Sequence, residues 1–249
     1  MIRLFVSDVD GCLAEAYAPF DLERIHELAR LVDKAGDIRR GGAGPSFSLC
    51  SGRPYPYVEA VTQVLALRVP VLFESGSGMF DPSDPYVRWH PAFTPDMSAR
   101  MEAIQSWMQE SLLPGTQMMT DFAKRTQAGV IGADSDEVRQ KTTAVEEFVS
   151  SNHPDFRVFY TPVSIDVVAP GVTKLEGLQW LTESLGVSLQ ETAYIGDANG
   201  DIDALRAVGM AFAPRNATSE VKAVVHRVTS GAVLAGVLEA YRSVMTDMR

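Results

Sequence analysis

Positive charge is scarce: 22 Lys and Arg stand against 32 Asp and Glu, giving the 249-residue chain a formal net charge of −10. Nucleic acids are attracted chiefly by basic residues that release their counterions, so this balance argues against a nucleic-acid partner. Cysteine is scarcer still. Only Cys12 and Cys50 occur, too few for a disulfide framework, and both read as reduced, partly buried thiols. The four histidines lie scattered without ligand spacing, which leaves neither zinc nor histidine-based catalysis supported. No apolar run reaches the roughly 18 residues of a membrane span, since Arg68 and Pro70 interrupt the best candidate, and the N-terminus has no signal-peptide pattern. The expectation is a cytoplasmic protein with no membrane partner; the oligomeric state is left open.

What is present is an ordinary globular composition, 46% hydrophobic and 22% charged, without repeats or low-complexity tracts. Residues 2–7 (IRLFVS) form a short apolar run that stops at Asp8, and DLERIHELARLVDKA (21–35) places apolar side chains at helical spacing before Gly36. FSLC (47–50), a turn at SGRP, YVEAVTQVLAL (57–67) and VPVLFE (69–74) repeat the strand and helix alternation. Short, nearly all-apolar strands alternating with helices imply a doubly wound, Rossmann-like parallel sheet of the α/β class, covered on both faces. From about residue 82 the rhythm changes to a proline-rich stretch, two helices and three strands, which reads as an inserted α+β module. SIDVVAP (164–170) is read as the return of the core sheet, followed by a helix from TK, the strand TAYIGD, a helix and MAFAP. The expected division is therefore a core of 1–82 plus 163–249 around an insertion of 83–162.

Ligands in open α/β sheets sit at the carboxyl ends of the strands, so residues just past each expected strand form a natural search set. They are Asp8 and Asp10 after the first strand, Ser51 after the second, Lys174 before a later helix, and Asp197, Asn199 and Asp201 after a late strand. Singly, each has a plain structural reading: a turn aspartate, a capping hydroxyl, a solvated lysine, an N-cap. Jointly they supply a nucleophile, an oxygen-rich metal site, a donor for phosphate oxygen and a compensating cation, which phosphoryl transfer requires.

The order DVDGCL (8–13), SGR (51–53), TK (173–174) and GDANGD (196–201) resembles the four motifs of haloacid dehalogenase superfamily phosphatases, and the placement of the insertion resembles the subclass with a large α/β cap, type IIB. The resemblance implies Mg2+ and a small phosphorylated metabolite, such as a sugar phosphate or a phosphoglycolate-like acid. It also implies Asp8 as nucleophile, Asp10 as acid and base, and Lys174 as the neutralising cation. Phosphate would be met by Ser51, Gly52, Arg53 and Asn199; metal would be held by Asp8, the Asp10 backbone carbonyl and Asp197, with Asp201 holding the metal's waters or orienting Lys174. Departures from the pattern are Cys12 for a threonine, Gly200 for an asparagine in the last motif, and Ser75 for an asparagine in ESGSG (74–78). In the insertion, Lys124 and Arg125 are candidates to meet an anionic or hydroxylated substrate, or form a solvated hairpin. Arg53 has a second reading as a salt bridge stabilising its turn. A phosphomutase, or a non-catalytic protein binding a phosphometabolite, are the competing functions.

Overall fold

The structure is a computed structural model that describes residues 1–84 and 86–246. It divides into two units, residues 1–88 with 174–249, and residues 89–173. In the first unit the chain runs β1 (Leu4–Ser7), α1 (Leu22–Ala35), β2 (Ser46–Leu49), α2 (Tyr55–Val64), β3 (Val71–Phe73) and β4 (Gly78–Phe80), and leaves through β5 (Val87–Trp89). The second unit contains α3 (Pro95–Trp107), β6 (Met119–Thr120), β7 (Gln127–Ile131), α4 (Ser135–Asn152), β8 (Arg157–Thr161) and β9 (Ser164–Val168). The first unit resumes with α5 (Lys174–Leu185), β10 (Thr192–Ile195), α6 (Ile202–Ala207), β11 (Met210–Ala213), α7 (Ser219–Lys222), β12 (Arg227–Val228) and α8 (Val233–Thr246).

The five-stranded sheet of the first unit has the order β12-β11-β10-β1-β2, and every pairing in it is parallel. A bridge between Cys50 and Leu72 carries the order on to β3. Burial on both faces explains why these strands are so apolar. One face of β1 sends Leu4 and Val6 into a cluster with Leu178, Leu181 and Leu205 from α5 and α6. On the other face Phe5 packs 5.4 Å from Phe47 and 5.1 Å from Tyr241 of α8, whose buried hydroxyl donates to the Pro45 carbonyl. The helix starts are capped as their sequences suggest: Asp21 accepts from the Arg24 amide and Thr218 from the Val221 amide.

Register fixes the working edge. Ser7 pairs with Leu49 on one side and Ile195 on the other, so β1, β2 and β10 end level with one another. Residues immediately after those ends, Asp8, Cys50–Ser51 and Gly196–Asp197, therefore leave the sheet at one place. No sequence separation matters once three parallel strands share a register.

The second unit is a four-stranded antiparallel sheet, β6-β7-β9-β8, with its own core of Ile104, Met108, Val130, Val145, Ile165 and Val167. Two expectations change here. SIDVVAP supplies β9 of this sheet, not a strand of the parallel core, and the insertion spans 89–173 instead of 83–162. The physical reason is pairing: β9 runs antiparallel between β7 and β8 and places Ile165 and Val167 in the core of the second unit, with Asp166 partly exposed. Among the described residues no helix is long and apolar enough to cross a membrane.

Candidate active site

Asp8 follows β1 directly and is 6% exposed. Its Oδ1 accepts from the Val9 amide at 2.6 Å and its Oδ2 from Lys174 Nζ at 2.5 Å. Lys174, the first residue of α5, also donates to Asp201 Oδ1 at 2.6 Å. A buried ammonium thus lies between two carboxylates contributed by segments far apart in sequence. Burial pulls the Lys174 amine down, but Asp201 and Asp8 outweigh it and hold it well above the ordinary lysine value, so it stays charged. Burial pushes the Asp8 carboxyl up against the pull of Lys174, and the charges of Asp201 and Asp197 add to the push.

Asp201 is fully buried and has all its acceptor capacity directed within the protein. Oδ1 accepts from Lys174 and from the Tyr194 hydroxyl at 2.8 Å, while Oδ2 accepts from the amides of Asp197 and Ala198, each at 3.1 Å. Four donors make it the anchor of Lys174 and of the 196–201 turn. Of the two roles expected for Asp201, orienting Lys174 is the one these contacts describe. Tyr194 carries only a modest signal in the sequence, as the one aromatic in the otherwise small and aliphatic strand TAYI.

Asp197 differs from its neighbours in having no direct ion pair among the described residues. Burial first, and then the Asp201 charge, push its carboxyl up to about 7. Oxygens of Asp8, Asp197 and Asp201 lie within 4.8 Å of one another. Three carboxylates with one ammonium leave excess negative charge in a buried, all-oxygen setting, which suits a hard divalent cation. The Asp197 carboxylate approaches the β1 turn so closely that a Cβ on Gly11 would lie 2.0 Å from its Oδ2, and Gly11 takes a φ of +70°. Glycine is required there on both counts.

Ser51 is fully buried, and its Oγ accepts from the Arg53 amide at 3.1 Å, leaving its own hydrogen without an acceptor among the described residues. Gly52 continues that turn, and Asn199 is exposed in the 3-10 turn Asn199–Asp201. Arg53 forms the salt bridge of its second reading, with Asp10 as the partner: Nε bonds Oδ2 and Nη2 bonds Oδ1, both at 2.7 Å. In the second unit Lys124 Nζ bonds Asp166 Oδ1 at 2.5 Å and reaches Asp121 Oδ2 at 3.4 Å. Burial works against its charge, yet the Asp166 and Asp121 carboxylates hold its amine above the ordinary value. Lys124 is therefore a neutralised strut of the sheet and not the solvated hairpin residue of the alternative reading. Arg125 lies over the Trp89 ring, 5.0 Å from its centroid.

A further contact missed in the sequence braces the β1 turn. Asn216 donates to the Gly11 carbonyl at 2.9 Å and accepts from the Val233 amide at 2.8 Å, at the start of α8.

A parallel sheet with buried carboxylates and a lysine at one edge defines a class before it defines a protein. A family model for haloacid dehalogenase-like hydrolases matches residues 108–240, and the chain belongs to that family of hydrolases. A phosphoglycolate phosphatase of Thermoplasma acidophilum is 26% identical over 224 residues, covering 90% of each chain. A crystal structure from Thermoplasma acidophilum shares the fold with a TM-score of 0.76 at 24% identity, over 98% of both chains. A sugar phosphatase of haloacid dehalogenase subclass IIB does so at 0.69 and 19% identity, over 97% of this chain and 98% of the other.

Proposed function

We propose that the protein is a magnesium-dependent phosphomonoester hydrolase that works through an aspartyl phosphate on a small phosphorylated metabolite. The observation that carries this reading is the buried Lys174 ammonium bonded to both Asp8 and Asp201, with the Asp197 carboxylate unpaired beside them. A carboxylate approaching a phosphate dianion is repelled at close range, and Lys174 supplies the compensating charge in a site of low dielectric. Mg2+, held by Asp8 and Asp197, would neutralise phosphoryl oxygens and the remaining carboxylate charge.

In this reading an Asp8 oxygen attacks phosphorus as the bond to the leaving oxygen breaks, and Asp10 gives that oxygen a proton. Asp10 then takes a proton from water, whose oxygen attacks phosphorus and breaks the bond to Asp8, restoring the carboxylate and releasing phosphate. The Ser51 hydroxyl, with its hydrogen uncommitted, is suited to donate to a phosphoryl oxygen. Hydrolysis is favoured over mutase chemistry because a bisphosphate needs convergent cations, and Lys124 already has two carboxylate partners. The names of the relatives support phosphoglycolate and sugar phosphates as the first substrates to try.

The test is phosphate release from p-nitrophenyl phosphate and a metabolite panel in Mg2+. Asp8→Asn is expected to lower turnover by at least about 10³-fold while leaving the circular dichroism spectrum unchanged. Wild-type activity no higher than that of Asp8→Asn sinks the proposal.

A further inference from the structure

Arg53 is built into its place from every side. Its amide donates to Ser51 Oγ and its carbonyl accepts from the Glu74 amide at 3.0 Å, so the backbone is pinned across the 51–53 turn. Its guanidinium lies 4.4 Å from the ring centroid of Tyr17 and 5.1 Å from that of Tyr57. Hydrogen bonding to Asp10 keeps it firmly protonated despite partial burial. A planar fork of this kind meets both oxygens of a carboxylate at once and so fixes the plane of the group as well as its position.

The two rings limit the directions in which the guanidinium can turn and so hold the fork on Asp10. Tyr17, 65% exposed, takes a φ of +62°, a left-handed conformation that is costly for a bulky residue, and its ring nevertheless covers the guanidinium. A carboxylate has about four lone-pair sites, and the fork uses two of them. Each Asp10 oxygen therefore keeps a second site at which a proton can be carried or taken.

We propose that Arg53, clasped by Tyr17 and Tyr57, is a positioning residue whose functional partner is Asp10 and not the phosphate of the substrate. The inference rests on the reading of Asp10 as acid and base. A misplaced proton carrier harms a reaction only to the extent that the leaving group needs the proton. p-Nitrophenolate departs without one; the alkoxide of an alkyl phosphate does not.

The experiment compares kcat/KM for p-nitrophenyl phosphate and for phosphoglycolate or glucose 6-phosphate, whichever the wild type turns over faster, in wild type, Arg53→Ala and Arg53→Lys. Arg53→Ala is expected to lose about tenfold or more on the alkyl phosphate beyond its loss on the aryl phosphate, through kcat. Arg53→Lys keeps the charge but cannot span both oxygens, and should shift the same ratio by a smaller factor; it serves if the alanine variant fails to fold. Tyr57→Leu should move the ratio in the same direction. Equal losses on both substrates, a rise confined to KM, or faster alkyl turnover in Arg53→Ala each overturn the inference. An active wild type with an unmoved ratio overturns it alone, whereas a wild type inert toward both substrates overturns the hydrolase reading and this inference with it.

Discussion

At the scale of single residues, Asp197 sets a pH dependence whose sign follows from its surroundings. Its carboxyl is pushed up to about 7 by burial and by Asp201, whereas in an unfolded chain it would titrate near 3.8. Between those values the folded, metal-free protein holds a proton that the unfolded chain has lost, and this contribution to stability is fully present below pH 3.8 and declines until pH has risen through about 7. A bound cation must displace that proton, so Mg2+ affinity should tighten by about tenfold between pH 6 and pH 8. Isothermal titration calorimetry at the two values measures it, and equal affinity would remove Asp197 from the ligand set.

The same scale shows what the sequence makes readable in the site. Asp8, Lys174, Asp197 and Asp201 could be grouped because each sits just beyond an expected strand or at the head of a helix, and the structure brings them together. The partners of these residues were not readable. Arg53 beside Ser51 suggested a phosphate contact, but the choice between Asp10 and an anion depends on where Tyr17 and Tyr57 put the guanidinium. Nothing in the local sequence encodes that choice.

At the scale of elements, the β1 turn and the 41–45 loop offer a controlled comparison. Gly11 and Gly41 share left-handed backbones, φ +70° and +73°, but only Gly11 has an obstacle, the Asp197 carboxylate 2.0 Å from a notional Cβ; Gly41 has nothing within 4 Å. Gly11→Ala should cost about 1–3 kcal/mol in urea unfolding and should also weaken Mg2+ binding. Gly41→Ala should cost about 1 kcal/mol from its backbone alone and leave Mg2+ affinity unchanged. Equal effects of the two on metal binding would mean that the Asp197 approach is not what makes Gly11 necessary.

Strands β1, β2, β10 and β11 are readable as short runs free of charged residues, because burial on both faces admits only apolar side chains and small hydroxyls such as Ser46, Ser48 and Thr192. Strand β9 was misplaced for the opposite reason. The helix that follows it, α5, belongs to the core, whereas β8 before it belongs to the second unit, and only pairing with β7 and β8 decides where β9 goes.

At the scale of the whole molecule, two units with separate apolar clusters predict separable effects of core truncation. Ile104→Ala in the second unit and Leu178→Ala in the first each remove a fully buried side chain and should cost about 2–5 kcal/mol. Leu178 lies one turn beyond Lys174 on α5, so its loss should also depress phosphate release through that lysine, whereas Ile104→Ala should spare Mg2+ affinity. Differential scanning calorimetry with and without Mg2+ reads the stability losses and the metal binding, and a phosphate-release assay reads the effect through Lys174; a loss of metal affinity in Ile104→Ala would contradict the separation.

The level ends of β1, β2 and β10 have a consequence for how this chain can vary in length. A single residue added between Leu4 and Asp8 would advance the carboxylate by about 3.3 Å and turn it to the opposite side of the sheet. The chain nevertheless accommodates everything from Trp89 to Thr173 between two segments of the same core. Growth is tolerated where a connection leaves and re-enters, and forbidden across a few residues of strand. The two kinds of position differ because a connection can lengthen without moving the strands, whereas an added strand residue breaks the register that holds Asp8 level with Ser51 and Asp197.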